Sequence, residues 1–483
     1  MPNTIAYAAL IIWPMVTLAS FASLRPAHAL IWSLLGGYLL LPVNTGFDLP
    51  GVPALDKTSI PSVAALIGAL IFVGARAVRL PREWWLMALM VLYLVSPMLT
   101  VLTNRDPLVF GELMLPGLKP YDALSAAAYN GVNLIPFLLG YNLIRTARSQ
   151  DYVLRALVAA MLFYSVLMLV EIRLSPQLHT WIYGYFPHSF DQQIRSGAFR
   201  PVVFLGHGLL VAILTSMTTV AAAYLARRRD RVFGVSAWFW LAYLVSILVL
   251  CRSMGALILG FAALPAAIFI RRGSVRLICA LVAITVLIYP LMRGADLVPV
   301  QAFADQVADE NPERAGSLQV RIDNENILIE RASQRPLFGW GGYGRNRVYD
   351  EYTGKDMSIT DGTWIIIIGT SGWAGYLATF GLLCLPLVGV WWRGSHMSAA
   401  GTALSLVLAI NLVDLLPNSS LTPLTWLLAG TLAAIPQGTR RKSGPMTHPH
   451  RSIRQNSKAP SQKGFPRIAT SLGAVRISVC GRA

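Results

Sequence analysis

The run TWIIIIGTSGWAGYLATFGLLCLPLVGVWW, from Thr363 to Trp392, contains no charged side chain. An α-helix rises 1.5 Å per residue, so about 20 apolar residues cross the ~30 Å hydrocarbon core of a bilayer. This run is too long for one straight crossing, and Gly369, Gly372, Gly375 and Gly381 interrupt it. The pattern predicts a short helix dipping into the membrane, followed by a span.

Twelve further apolar runs surround it, approximately Ile5 to Leu24, Ala27 to Pro42, Ile60 to Ala75, Trp84 to Leu102, Ala123 to Ile144, Val153 to Leu174, Pro201 to Leu225, Val235 to Cys251, Met254 to Ile270, Val275 to Leu291, Ser398 to Val413 and Leu421 to Pro436. The expected fold is all-α: a polytopic transmembrane bundle over residues 1–436, with about 12–14 spans. Composition agrees, because 55% of the 483 residues are hydrophobic and only 13% are charged, about half the charged share of soluble globular domains. The first run is read as a retained helix, since Met1 to Thr4 carry no basic residue. Cys251, Cys279 and Cys384 fall in or beside apolar runs and Cys480 near the carboxyl terminus, which offers neither a disulfide framework nor a zinc motif. The net charge of +17 reflects where the basic residues lie, and no nucleic-acid partner is expected.

Basic residues concentrate in cytoplasmic loops. Residues 437–483 have no Asp or Glu and are rich in Ser, Pro, Lys and Arg, which reads as a disordered cytoplasmic tail drawn to anionic headgroups. With that tail inside, the loops holding Arg25, Arg76, Arg145, Arg227, Arg271 and Arg393 fall on the same side. The amino terminus then lies outside, and nearly all acidic residues with it. Any chemistry is expected at the outer face, where the longest polar interval, Arg293 to Asp361, forms one large loop.

Within that loop, SLQVRIDNENILIERASQ (Ser317 to Gln334) places Leu318, Ile322, Leu328 and Ile329 near helical spacing and predicts an amphipathic helix ending before Pro336. RPLFGWGGYG, Arg335 to Gly344, follows. Its glycines permit a tight turn, while its place on the outer face of a bundle also suits a site. Asp361 precedes the long apolar run, where it fits an N-cap and equally a general base at the membrane surface. Both roles coexist only if one carboxylate oxygen stays available.

The later outer loops use arginine almost to the exclusion of lysine. The guanidinium fork keeps its charge when partly desolvated and matches phosphate oxygens in pairs, so this surface is a candidate diphosphate site. Arg314, Arg331 and Arg347 have acidic neighbours and read as their partners. For Arg195, Arg200 and Arg252 that reading is weaker. Arg200 abuts Pro201 at the start of a run, and Arg252 sits between two runs with no acid nearby in sequence. Arg335 and Arg345, flanking the glycine motif, and His207, several residues into a run, are secondary candidates. Asp414 reads as an interfacial anchor.

RPLFGWGGYG, the Arg-bearing helix before it and GTSGWAGYLATFG after it resemble the bacterial O-antigen ligase and O-antigen/exopolysaccharide polymerase superfamily. Arg195-Ser-Gly-Ala-Phe-Arg200-Pro201 and Cys251-Arg252-Ser253 resemble the arginine-bearing stretches of that family, so the likeness covers Arg195 to Leu383. The resemblance implies metal-independent, inverting glycosyl transfer at the periplasmic face of the bacterial inner membrane, without a cofactor. The donor would be a polyprenyl-diphosphate-linked oligosaccharide and the product a growing glycan chain, with a flippase and chain-length regulators as partners. Arg195, Arg200, Arg252 and Arg321 would hold the diphosphate, and Asp361 would take the acceptor proton. Ligases of the family carry His with Asn where this chain has Asp361-Gly362, which favours the polymerase branch. Ligase-type transfer to another acceptor, a lipid-linked glycan or anion transporter, and a non-catalytic scaffold are the competing expectations.

Overall fold

The computed structural model describes residues 1–48, 53–195, 197–301, 305 and 312–434. The chain divides into 1–438 and 439–483, and the expected tail at 437–483 lies outside the described residues. Among the described residues fifteen α-helices account for the fold: α1 (Thr4–Ser23), α2 (Pro26–Leu40), α3 (Ser59–Phe72), α4 (Trp84–Leu102), α5 (Pro120–Leu143), α6 (Ala147–Leu174), α7 (Leu178–Tyr183), α8 (Gly208–Arg227), α9 (Ala237–Leu250), α10 (Met254–Ile268), α11 (Arg272–Gly294), α12 (Pro312–Ser333), α13 (Thr363–Trp392), α14 (Ala399–Asp414) and α15 (Pro423–Ala433). The chain is thus an all-α polytopic membrane protein. Every apolar run became a helix. Seven (α1, α4, α5, α6, α8, α11 and α13) are long and apolar enough to cross a bilayer alone, and six are shorter. At 1.5 Å per residue the 14 residues of α3 span about 21 Å, so the shorter helices rely on flanking loops to complete a ~30 Å crossing.

Four two-stranded antiparallel hairpins sit in the loops. They are β1 (Gly46–Phe47) with β2 (Leu55–Asp56), β3 (Leu108–Phe110) with β4 (Leu113–Leu115), β5 (Ile194–Arg195) with β6 (Ala198–Phe199), and β7 (Arg231–Val232) with β8 (Val235–Ser236). Successive helices alternate in direction, so loops gather at two ends. At one end the Asn3 N–H donates to Tyr183 O (3.0 Å), Asn44 Nδ2 to Pro187 O (2.7 Å) and Thr363 N–H to Asn418 O (3.2 Å). At the other, Arg155 pairs with Asp230 (2.5 Å), Ser398 donates to Gln150 (2.7 Å) and Arg393 caps the end of α15 through Ala434 O (3.1 Å). α8 is the axis of the bundle, buried along nearly its whole length. Its residues are mostly Ala, Ser, Thr and Val, whose small side chains let α6, α9, α10 and α14 approach closely.

The long run that opened the reading is broken. Gly372 has φ 63° and ψ −166°, a conformation that essentially only glycine adopts. The break orphans backbone groups inside a helix apolar enough to cross a membrane, a setting in which such groups must find partners within the protein. The RPLFGWGGYG segment fills that need. Trp340 and Gly341 N–H donate to the carbonyls of Gly369 (2.8 Å) and Thr370 (2.9 Å). In return, Trp373 and Ala374 N–H donate to Pro336 (2.8 Å) and Leu337 (3.1 Å). Thr100 and Asn104 at the end of α4 bind Phe338 O (2.7 Å) and Gly339 O (2.9 Å). The motif is therefore a splint for a broken helix.

α12 confirms the amphipathic segment and begins earlier than Ser317, at Pro312. Ile322, Leu328 and Ala332 are buried. Arg293, at the end of α11, is 4% exposed and pairs with Glu325 of α12 (3.1 Å), while the other oxygen of Glu325 accepts from Trp364 of α13 (3.2 Å). This relay fixes α12, and with it Arg321 one turn earlier, against the bundle.

Candidate functional site

Residues 201–206 do not continue a helix, which corrects the expected span from Pro201. Their backbone is irregular, with Val203 at φ 48°, an outlying conformation for a β-branched residue. Buried side chains hold this path. Glu171 of α6 accepts from the N–H groups of Val202 and Val203 (both 2.7 Å) and of Leu178 (3.0 Å). The Phe204 N–H donates to Tyr164 Oη (3.0 Å), and Gln193 Oε1 accepts from Gly208 N–H (3.2 Å). His207 is accordingly not inside a span but the N-cap residue of α8, its Nδ1 accepting from Leu209 N–H (3.0 Å).

Arg200 enters this loop from the β5–β6 hairpin. It is 3% exposed, and its Nε and Nη2 have no hydrogen-bond partner among the described residues. Burying an unpaired guanidinium is costly. Burial, with repulsion from Arg195 and Arg321 and slight relief from the Cys251 side chain, pushes Arg200 down to about 10, still charged at neutral pH. Arg195 lies on the same hairpin, and its carbonyl accepts from Arg252 (3.1 Å), which projects from the tight α9–α10 turn at φ 52°. The ring of His207 stands 4.8 Å from that of His188, nearly perpendicular. Burial, His188, Arg200, Arg195 and Arg321 together push His207 down to about 4. With Nδ1 accepting the cap bond, its neutral ring carries the proton on Nε2 and offers a donor.

Arg321 reaches the same region from α12 and pairs with Asp361 (3.5 Å), both side chains being nearly half exposed. Asp361 does not cap α13. Gly362 occupies that position, and the Thr363 N–H is already met by Leu415 O (3.0 Å) and Asn418 O. Oδ1 of Asp361 has no partner among the described residues. Asp414 is 4% exposed and accepts from Ser420 (2.6 Å) and Asn418 (2.8 Å). A cavity of about 210 Å³ adjoins Arg321 and Asp361, walled mainly by Tyr289, Leu328, Ile365 and Leu416.

The structure therefore gathers Arg195, Arg200, Arg252, His207, Arg321 and Asp361 at one end of the bundle, from four separate parts of the chain. Arg335 and Arg345 are elsewhere. Arg345 is 1% exposed and caps the carbonyls of Trp340 (3.2 Å), Pro116 (2.8 Å) and Asp106 (2.9 Å). Arg335 binds Thr103 O and lies over the Trp340 ring (4.5 Å). Arg331 covers the same ring at 3.5 Å instead of pairing with an acid, whereas Arg347 does pair with Asp356 (2.5 Å); the side chain of Arg314 lies outside the described residues. Glu171, Gln193 and His188 had no local sequence signal, because each acts on a segment that folding brings to it.

No family model matches the chain, and no curated protein matches it in sequence.

Proposed function

We propose that this protein polymerises polyprenyl-diphosphate-linked oligosaccharide units by metal-independent, inverting glycosyl transfer at the periplasmic face of the bacterial inner membrane. The observation that carries this reading is the buried guanidinium of Arg200, whose Nε and Nη2 find no partner among the described residues, close to the charges of Arg195 and Arg321, with Arg252 bound to the Arg195 carbonyl. A cluster of like charges that finds no carboxylate for its most buried member is stabilised by an anion, and arginine forks suit diphosphate oxygens. The acceptor hydroxyl would attack the anomeric carbon. The bond to the diphosphate oxygen breaks, its electron pair stays on the leaving group, and the acceptor proton passes to Asp361. His207 supplies a neutral donor beside the leaving group. Exopolysaccharide or O-antigen synthesis, with a flippase delivering donor and a regulator setting chain length, is the context that this chemistry fits. The arginine-rich end opposite the site favours an external amino terminus and a cytoplasmic carboxyl terminus.

The test is reconstitution with polyprenyl-diphosphate oligosaccharide in the presence of a chelator. Chain extension with released polyprenyl diphosphate is expected, reduced about 10²–10³-fold in Arg200→Ala and abolished in Asp361→Asn. Glycan transferred once to a different acceptor would assign ligation. Intact substrate that only changes leaflet would overturn the enzyme reading in favour of transport.

A further inference from the structure

Lys57 is the one lysine buried among the described residues, and the reaction does not use it. It precedes α3, is 9% exposed, and its ammonium donates to Leu41 O (2.8 Å) and to Phe204 O (2.5 Å). Both partners are neutral carbonyls. The neighbouring Asp56 forms no ion pair with it; Oδ1 of that carboxylate accepts from the N–H groups of Thr58 (2.8 Å) and Ser59 (2.9 Å). The other groups facing Lys57 are the ring of Tyr38 on α2, 5.8 Å away, and His179 on α7, whose Nδ1 lies 2.9 Å from Tyr185 O. A buried cation without an ion-pair partner is rarely retained for stability alone.

Its position suggests what it does. Phe204 lies one residue beyond Val203, whose N–H, with that of Val202, binds the buried Glu171. The three residues that follow Arg200-Pro201 are thus clamped between the Glu171 carboxylate, which accepts from the N–H groups of Val202 and Val203, and the Lys57 ammonium, which donates to the carbonyl of Phe204. We infer that Lys57 and Glu171 are positioning residues that hold the strained Val202–Phe204 backbone so that the Arg200 guanidinium stays aimed at its anion. This rests on the proposed diphosphate reading. Without the clamp, Val203 relaxes out of the left-handed region and Arg200 swings with it, and a displacement of about 1 Å at such a site costs on the order of 10²-fold.

The clamp also carries a pH signature. Burial pushes Lys57 down to about 7, with Asp56 opposing. Below pH 7 the ammonium is present and grips Phe204 O, so anion affinity falls as pH rises through 7. Stability moves the other way. Between pH 7 and 10.5 the unfolded chain binds a proton that the folded one does not, so this group adds stability as pH rises.

The experiment measures binding of sugar-free polyprenyl diphosphate to the full chain in nanodiscs, beside thermal unfolding. Lys57→Met is expected to weaken binding about 10- to 100-fold without lowering the melting temperature at pH 6. Lys57→Arg should restore binding and remove the transition near pH 7 that wild type shows, and Glu171→Gln should weaken binding as Lys57→Met does. If Lys57→Met does not fold, the comparison of wild type with Lys57→Arg decides, since equal pH dependence of the two refutes the inference. Arg200→Ala separates the two levels. Binding lost in Arg200→Ala but kept in folded Lys57→Met and Glu171→Gln sinks the clamp alone. Binding kept in Arg200→Ala sinks the diphosphate reading itself.

Discussion

Replacing Gly372 by Ala tests whether the glycine motif splints a broken helix. At φ 63° and ψ −166° an alanine is strained by about 1–3 kcal/mol. Its Cβ would also stand 2.4 Å from the carbonyl carbon and oxygen of Leu337, so the splint must move away. That movement loosens the four backbone hydrogen bonds joining Trp340, Gly341, Pro336 and Leu337 to the break. Each buried group left unsatisfied costs about 1–3 kcal/mol. Losing only two of the bonds, counted as one unsatisfied group each, brings the total to roughly 3–9 kcal/mol, comparable with the whole stability of a typical domain. Gly339→Ala should behave alike, because its Cβ would meet Thr370 C at 2.5 Å with φ at 67°. Gly342 lies in the same motif with no heavy atom within 4 Å of a built Cβ, so Gly342→Ala should stay within about 0.5 kcal/mol of wild type. Monodisperse yield by size-exclusion chromatography and melting temperature in detergent are the readouts. A Gly372→Ala protein that melts like wild type, or a Gly342→Ala protein as damaged as Gly372→Ala, would refute the splint.

Two further outcomes follow from the geometry. Arg345→Gln should cost about 3 kcal/mol, since three carbonyls lose a charged donor. Its affinity for polyprenyl diphosphate should remain that of wild type, which separates it from Arg200→Ala in the same binding assay. His207, pushed from 6.5 to about 4, binds its proton in the unfolded chain before the folded one, so it costs stability as pH falls from 6.5 towards 4. Melting curves of wild type should therefore drop below those of His207→Asn, which keeps an N-cap side chain, across that window; parallel curves would contradict the assigned environment.

The helices were legible because a bilayer judges each segment by its own composition. A run such as Trp84 to Leu102 must be apolar whatever its neighbours are, and it became α4 without a shift of boundary. The candidate arginines were legible for a related reason: alternation of spans sends Arg195, Arg252 and Arg321 to one end. Arg200 stood out by abutting Pro201 at the start of an apolar run, and among the described residues it pairs with no acid. Roles that depend on a distant partner were not legible. Asp361 looked like a cap because Leu415 and Asn418, which satisfy the helix instead, are more than fifty residues away. Arg345 looked like a ligand because its carbonyl partners Asp106 and Pro116 lie more than 220 residues earlier.

The sequence by itself determined that this chain is a polytopic helical membrane protein whose candidate arginines fall in loops between its apolar runs. Only the tertiary structure decided that RPLFGWGGYG mends a broken helix, that residues 201–206 form a loop gripped by Glu171 and Lys57, and that Nε and Nη2 of Arg200 meet no acceptor among the described residues. Hydrophobic length is a local property that each span must satisfy alone, whereas a backbone hydrogen bond at membrane depth needs a partner, and only the folded chain brings that partner near.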